Sequence, residues 1–390
     1  MGTIWEMEEQ QVPVEDGTRY AREPREQMDK LFRAMEKLGA SDLHLQAGMP
    51  PMMRVKGALR PTSYPVLSDE DAKALVYSLL TAKEQARFED MGDLDKAVEV
   101  PGAGRFRLNV LRQRGKVGLV ARKVNTFIPP IEQLHLPPIL RQVASYHQGM
   151  VIIAGPTGSG KSTTLASILD HVNETRRCHI LTIEDPIEYL HTNKKAYINQ
   201  REIGSDTANF KDALRYAMRQ DPDVILVGEM RDEETMQFGL RAAETGHLVL
   251  TTLHASTAPQ TLQRILDLFP PEKHFQIRRS LAFNLKAVIC QRLLPSCKEG
   301  VGRVPAVEIM IVNAVVRKMI QEGQDTQLPR TIRLSFKEGM QDFNVSLYRL
   351  VKEGYVAAEE AFKESPNPEQ LRMNLQGIFL DEDRAIATTS

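Results

Sequence analysis

The stretch VIIAGPTGSGKSTTLASILD, residues 151–170, constrains the fold of this chain more than any other. It contains the pattern G-x-x-x-x-G-K-[ST], with Gly155, Gly160, Lys161 and Ser162 in the fixed places. A run of β-branched residues precedes the glycines, and a helical pattern follows them. Glycines let backbone N–H groups converge on phosphate oxygens, and a helix N-terminus adds partial positive charge. The stretch therefore predicts a nucleotide phosphate site between a strand and a helix.

The positions of this loop have separate expected tasks. Lys161 is expected to neutralise the β- and γ-phosphates, and Ser162 is expected to ligate Mg²⁺. The alternative is a glycine turn with an accidental lysine, which the strand and helix in register disfavour. The predicted phosphate-binding residues are Gly155, Pro156, Thr157, Gly158, Ser159, Gly160, Lys161, Ser162 and Thr163.

Acidic residues follow two further strand-like runs. HILTIEDPIEY leads to Glu184 and Asp185, and DPDVILVGEMRD places Glu229 at the end of VILVG. Nucleotide sites in open α/β sheets lie at the carboxyl ends of strands, where carboxylates can orient water or act on Mg²⁺. We therefore predict a water-polarising role for Glu229 and a metal-side role for Glu184 and Asp185. A turn or helix cap beside Pro186 is the alternative for the acidic pair.

Two histidines flank a third strand-like run, LVLTTL. His247 precedes this run and His254 ends it, next to small polar residues. A lone histidine is more often a core residue, but its position at a strand end favours His254 as a sensor of the γ-phosphate. A metal-ligand role is not predicted, because no cysteine or carboxylate lies at ligand spacing.

Arginines form two groups with two interpretations each. Arg215 and Arg219 share one face of a helical segment, which indicates either a solvated face or an arginine supplied to a neighbour's phosphates. RFRLNVLRQRG carries Arg107 and Arg112, and alternation places Arg105 and Arg107 on one strand face. A charged strand edge that discourages aggregation is the alternative there.

Composition narrows the classes of protein. The 50 basic and 51 acidic residues give a net charge of −1, so no global field favours nucleic acid or an anionic membrane. The three cysteines form no Cys-x-x-Cys pair, which predicts reduced thiols. The acidic start lacks an apolar core, and the apolar runs are too short to cross a bilayer. We expect no nucleic-acid partner, no membrane insertion, and a place in the cytoplasm.

The pattern of predicted strands, helices and prolines divides the chain into domains. Mixed short strands and helices, with one helix around residues 68–90, predict a small α+β domain ahead of an alternating α/β domain with a parallel sheet. Two proline pairs mark the linker between them. The predicted parts are a flexible tail with Trp5 (1–25), the small domain (26–124), the linker (125–139), the α/β domain with C-terminal helices (140–375) and a second flexible tail (376–390).

Several motifs together carry a family resemblance. ASDLHLQAGMPP, GRFRLNVLRQR, GPTGSGKSTTLA, ILTIEDPIEY, DPDVILVGEMRDEET and AAETGHLVLTTLHAST occur in this order. In this combination the chain resembles the PilT/PilU family of type IV pilus retraction ATPases. The resemblance covers about residues 28–375. A pilus-assembly or type II secretion ATPase is the alternative, but its two Cys-x-x-Cys pairs are not present here.

The resemblance implies a PAS-like N-terminal domain joined to a RecA-like P-loop ATPase domain. It implies a homo-hexamer with ATP and Mg²⁺ between subunits, acting on an inner-membrane platform protein from the cytoplasmic side, with a paralogous pilus ATPase as a further partner. Lys161 and Ser162 then lie in the Walker A loop, and Glu229 lies in the Walker B motif. The resemblance also assigns Glu184 and Asp185 to the aspartate box, His247 and His254 to the histidine box, and Arg107 and Arg112 to the neighbour-supplied arginines.

Two further functions are considered as alternatives to a pilus motor. A RecA-like nucleic-acid translocase requires a basic, aromatic-lined channel, and the balanced charge with 6% aromatic residues gives no sign of one. A nucleotide-binding accessory regulator of another pilus motor would bind ATP without turnover. The intact acidic and phosphate-loop residues argue against that second reading.

Overall fold

The computed structural model describes residues 23–379, and the chain divides into two compact units between Thr126 and Phe127. Trp5 and most of both predicted tails lie outside the described residues. No helix in the described part of the chain is long and apolar enough to cross a membrane.

The first unit is built on an antiparallel sheet. Six strands lie in the order β3-β2-β1-β6-β5-β4, and every neighbouring pair is antiparallel. Its elements are α1 (Pro24–Leu38), β1 (Ala40–Gln46), β2 (Met52–Val55), β3 (Ala58–Pro61), α2 (Asp69–Tyr77), α3 (Ala82–Met91), β4 (Asp93–Val100), β5 (Gly104–Gln113) and β6 (Lys116–Lys123).

One face of this sheet is covered and the other carries polar groups. Along β5 the side chains of Phe106, Leu108 and Val110 are buried, and the ring of Phe106 lies 4.4 Å from that of Phe32 in α1. The intervening Arg107 is exposed. This alternation has the period of two expected for a sheet with one packed face, and it confirms the small α+β domain.

The single helix predicted around residues 68–90 is wrong. The segment forms two helices, α2 and α3, because Thr81 caps the start of a new helix in the middle of the predicted one. The backbone N–H of Glu84 donates to the Thr81 hydroxyl, and the backbone N–H of Thr81 donates to the Glu84 carboxylate. This pair of bonds is a capping box, which stabilises the start of a helix.

The second unit is an α/β sheet with helices on both faces. Seven strands lie in the order β13-β12-β7-β11-β10-β8-β9, all parallel except β13. Its elements are α4 (Ile139–Ala144), β7 (Gly149–Ala154), α5 (Lys161–Thr175), β8 (His179–Glu184), β9 (Tyr197–Glu202), α6 (Phe210–Ala217), β10 (Val224–Val227), α7 (Glu233–Glu244), β11 (Leu248–Leu253), α8 (Ala258–Leu266), α9 (His274–Asn284), β12 (Leu285–Pro295), β13 (Arg303–Ile311), α10 (Ala314–Glu322), α11 (Leu328–Leu334), α12 (Phe343–Lys352), α13 (Ala358–Glu364) and α14 (Pro368–Leu375).

The central strands separate two hydrophobic cores. In β7, Met150 and Ile152 belong to one core, and Val151 and Ile153 belong to the other. All six residues of β7 are buried, as expected of a parallel strand covered on both faces. This arrangement confirms the predicted RecA-like α/β architecture.

A buried carboxyl group lies in the outer part of this sheet. Glu308 of β13 is 6% exposed, and its carboxylate accepts the backbone N–H of Ala258 at the start of α8 over 2.7 Å. Burial, with a smaller contribution from Asp342, raises the pKa of Glu308 to about 7. The hydrogen bond from Ala258 and the charge of Arg292 act in the opposite direction.

We predict that Glu308 makes the stability of the chain depend on pH. Its pKa rises from 4.5 to about 7 on folding, so the folded state binds more protons between these values. Stability is therefore fully present below the lower pKa and falls as pH rises through the higher one, by about 3 kcal/mol. Glu308→Gln keeps an acceptor for Ala258 but cannot titrate. The unfolding free energy of the variant, measured by denaturant titration, is expected to fall less between about pH 5 and about pH 8.

The matched control is Glu299→Gln, which makes the same change at an exposed position in the second unit. It is expected to follow the wild-type pH dependence. Equal pH dependence in wild type and Glu308→Gln would contradict the assignment.

Candidate active site

The carboxyl ends of four parallel strands meet at one edge of the second sheet. In the ladder, Ala154 pairs with Leu253, and Val227 pairs with both Thr251 and Ile183. Segments far apart in sequence therefore end side by side. They surround a cavity of about 330 Å³ whose lining includes Thr157, Gly158, Lys161, Ser162, Glu184, Asp185, Glu229 and His254.

The glycine loop connects β7 to the first turn of α5. Gly155 and Gly160 have φ values of 155° and 87°, which side chains rarely adopt. Helix α5 begins at Lys161, so its first N–H groups lie at the end of the loop. The loop and helix therefore have the strand–loop–helix geometry that is typical of anion sites.

Lys161 lies folded onto this loop. Its ammonium group donates to the carbonyl oxygens of Gly155 and Pro156, each over 3.0 Å. Burial lowers the pKa of Lys161, while the carboxylates of Glu229 and Glu188 oppose that change. The lysine is thus a partly desolvated cation inside the cavity, and an anion placed there would stabilise its charged form.

Glu184 and Asp185 differ in environment although they are neighbours. The Glu184 carboxylate accepts the Thr182 hydroxyl over 2.6 Å and the Gln200 amide over 3.1 Å. Burial raises the pKa of Glu184, and the two hydrogen bonds counteract it. Asp185 is exposed at the cavity wall. The structure therefore separates a half-buried, hydrogen-bonded carboxyl from an exposed one.

Glu229 is held by a guanidinium and an imidazole side chain. Arg231 donates to one carboxylate oxygen from Nε over 2.8 Å and from Nη2 over 2.7 Å. His254 Nε2 lies 3.2 Å from the other oxygen. Beside this group, the Thr252 hydroxyl donates to the carbonyl of Gly228 over 2.7 Å, which links β11 to the end of β10. Glu229 and His254, predicted from separate strand ends, are in direct contact.

The structure does not bring His247 to this cavity. Its Nδ1 lies 2.9 Å from the carbonyl oxygen of Ala242 and 3.1 Å from the hydroxyl of Thr245, ahead of β11. The strand rises about 3.3 Å per residue, so the two histidines lie on opposite edges of the sheet, roughly 20 Å apart. Contact between His247 and a nucleotide in the same chain is therefore excluded.

Arg219 also lies away from the cavity in its own chain. Helix α6 begins at Phe210, which lines the cavity, and ends at Ala217. Arg219 follows that far end and is exposed.

The two candidate arginines of β5 differ from each other. Arg112 donates to the carboxylate of Glu89 over 2.7 Å and to its backbone carbonyl over 3.1 Å, and it lies over the ring of Phe88. Arg107 is exposed and makes no side-chain hydrogen bond or ion pair with residues 23–379. Arg107 is therefore the arginine that is free to reach another molecule.

Sequence reasoning missed several residues of the site. Arg231 contacts Glu229, and its only sequence signal was its spacing two residues later in GEMRD. Tyr189 lines the cavity, and its hydroxyl lies 2.8 Å from that of Thr163. No pattern marked Gln291 in β12, whose amide contacts the loop.

Comparisons with known proteins identify the class. Residues 131–363 match the family described as Type II/IV secretion system protein. The type IV pilus retraction ATPase PilT of Pseudomonas aeruginosa is 45% identical over 87% of this chain and 98% of that relative. The type IV pilus ATPase PilU of the same organism is 39% identical over 93% of this chain and 95% of that relative.

Solved structures agree with these matches. A crystal structure of the pilus retraction motor PilT with bound ADP has a TM-score of 0.82 and 45% identity, covering 88% of this chain and 98% of that one. The ATPase DotB of Legionella pneumophila has a TM-score of 0.78 and 29% identity, covering 90% and 98%.

Fold and site together define a P-loop ATPase of the type II/IV secretion class. Within that class, the chain belongs to the PilT family of type IV pilus retraction ATPases. It binds nucleotide and hydrolyses ATP to power pilus retraction and twitching motility.

We predict that the Thr182 hydroxyl tunes the acidic limb of the pH–rate profile. The hydroxyl stabilises the ionised form of Glu184, so Thr182→Val should raise the pKa of Glu184 further above its usual value. The neutral acid would then persist to higher pH. If ionised Glu184 supports turnover, the acidic limb of kcat/KM for ATP moves to higher pH in the variant.

Thr251→Val is the matched control, since Thr251 is equally buried in β11 but its hydroxyl has no hydrogen-bond partner among residues 23–379. Its profile should coincide with that of the wild type. A Thr182→Val profile that also coincides would contradict the tuning role.

Proposed function

We propose that the cavity binds ATP with its phosphates on the loop from Gly155 to Thr163. The observation that carries this proposal is the convergence of the loop, Glu184, Glu229 and His254 on one cavity at the edge of a parallel sheet. Lys161 would exchange its two loop carbonyls for β- and γ-phosphate oxygens, whose negative charge favours the charged form of a partly desolvated ammonium group.

The residues present fit Mg²⁺. The Ser162 hydroxyl and the carboxylates of Glu184 and Asp185 line the same cavity, and oxygen is the ligand atom that Mg²⁺ prefers. We propose Ser162 and Glu184 as its holders, with Asp185 on the same side. The ion would supply charge neutralisation between the phosphates when bound.

Glu229 is proposed to orient the attacking water. Its carboxylate is held by Arg231 and His254, so its direction is set before a substrate arrives. His254 is proposed to sense the γ-phosphate, because its ring contacts the same carboxylate. His247 lies at the other edge of the sheet, so we assign it a positioning role through β11.

At the level of assembly, we propose a homo-hexamer in which Arg107 reaches the phosphates bound by a neighbouring chain. The free, exposed guanidinium of Arg107 supports this role, whereas Arg112 is already occupied by Glu89. Arg219 remains a second candidate of the same kind. The ring would act on an inner-membrane platform protein from the cytoplasmic side, with a paralogous pilus ATPase as a further partner.

We predict that Glu229→Gln binds ATP but hydrolyses it at least about a hundredfold more slowly, because a neutral amide polarises water less than a carboxylate and cannot accept its proton. Turnover is measured by phosphate release, and retained ATP by filtration. Cells that lack this gene should carry excess, static pili, which are counted and followed by fluorescent labelling. The wild-type chain should restore normal pilus number and movement, and Glu229→Gln should not.

Glu233→Gln is the matched control. Glu233 pairs with Lys273 at the start of α7, outside the cavity, so normal turnover is expected. Near-normal turnover in Glu229→Gln would refute the water-orienting role. If the cells that lack this gene carried no pili, the motor would extend pili instead of retracting them.

We predict complementation between two inactive variants if Arg107 acts across a subunit boundary. Arg107→Ala lacks the arginine and keeps Glu229, and Glu229→Gln has the reverse defect. Mixing the two chains during assembly creates some sites with both groups, so ATP turnover per chain should exceed that of either variant alone. Mixed chains that stay as inactive as the separate variants would place the function of Arg107 within its own chain.

A further inference from the structure

A buried polar residue supports the phosphate loop from behind. Gln291 lies in β12, is 2% exposed, and is flanked by the buried Cys290. Its Nε2 donates to the carbonyl of Ser159 over 2.7 Å, and its Oε1 accepts the Thr164 hydroxyl over 2.8 Å. A carbonyl can only accept, so the orientation of the amide is fixed by its partners. Both ends of the side chain are thus committed to the loop and α5.

This contact sets the direction of a backbone N–H. The Ser159 carbonyl and the Gly160 N–H belong to one planar trans peptide, so they point in opposite directions. Because Gln291 holds the carbonyl on the β12 side, the Gly160 N–H is directed away from β12. A phosphate on the loop needs such N–H groups to converge on it.

The loop is built to let Gln291 approach. A Cβ at Gly160 would lie 2.8 Å from the Gln291 Nε2, and a Cβ at Gly155 would lie 2.5 Å from the Gln291 backbone oxygen. Both distances are too short for a side chain. The two glycines therefore admit the β12 strand as well as the phosphate.

The contact of Gln291 with the loop differs from those of Lys161, because phosphate binding does not compete for it. Lys161 holds the carbonyls of Gly155 and Pro156 in the present structure. When its ammonium turns to phosphate oxygens, those two contacts are lost. The amide of Gln291 contacts the loop through the Ser159 carbonyl, so this bond does not depend on where the Lys161 ammonium points.

We propose that Gln291 is a positioning residue for nucleotide binding, which orients the Gly160 N–H toward the phosphates and so sets the affinity for ADP and ATP. The proposal rests on the phosphate loop proposed above. It predicts an effect on binding rather than on the chemical step, because Gln291 touches the loop and none of the groups that act on water.

The test compares Gln291→Leu with Gln341→Leu. Gln341 also donates its amide to a backbone carbonyl, that of Val307, over 2.9 Å in the same unit. Both variants lose a similar bond, so both are expected to lose thermal stability. Only Gln291→Leu should weaken binding of a fluorescent ADP analogue and raise KM for ATP, each by about tenfold, with kcat within about threefold of wild type.

Two milder variants keep the test decisive if Gln291→Leu does not fold. Gln291→Met has nearly the length of glutamine but cannot donate to Ser159, and it should weaken ADP binding about as much as Gln291→Leu. Thr164→Val keeps the bond to Ser159 and should bind ADP within about threefold of wild type. Wild-type ADP affinity in Gln291→Met, or equal losses in Gln291→Leu and Gln341→Leu, would overturn the proposal.

Lys161→Ala distinguishes the role proposed for Gln291 from the phosphate-binding role proposed for the loop. If Lys161→Ala loses ADP binding and the Gln291 variants do not, the phosphate loop stands and the role of Gln291 is wrong. If Lys161→Ala binds ADP normally, the phosphate loop itself is wrongly assigned, and the role of Gln291 fails with it.

Discussion

The parallel register of the second sheet is the constraint on which the site depends. Hydrogen bonds between β7, β11, β10 and β8 align their carboxyl ends, and hydrophobic cores on both faces fix that alignment. A shift of one residue would exchange the two cores and move every strand-end side chain. The catalytic geometry is therefore maintained by apolar packing that has no chemical role itself.

Burial gives the site its electrostatic character. It lowers the pKa of Lys161 and raises that of Glu184, so the charged forms of both residues are disfavoured in the protein alone. In the proposed function, a polyphosphate beside Lys161 and a divalent cation beside Glu184 would supply the opposite charges. Exposed pairs such as Arg231 with Glu229 contribute direction more than energy, because solvent screens them. Desolvation of these two groups is therefore consistent with the metal–nucleotide complex proposed for this cavity.

Local sequence signals predicted elements well and their interruptions less well. The strand–loop–helix around Lys161 was predicted because glycine, lysine and periodicity all indicate one structure. The helix break at Thr81 was missed, since the capping box is a short signal inside a continuous apolar pattern. Arg107 and Arg112 were equivalent in the sequence, and only the position of Glu89 distinguishes them.

The sequence by itself determined the phosphate loop, the division into a small α+β unit and an α/β unit, and the acidic residues at strand ends. Those features depend on residues close together in the chain. Only the tertiary structure placed Glu229 against His254, left His247 on the far edge, and set Gln291 behind the loop. Those outcomes depend on which strands become neighbours. That choice is made by long-range burial and hydrogen bonding, which no local pattern encodes.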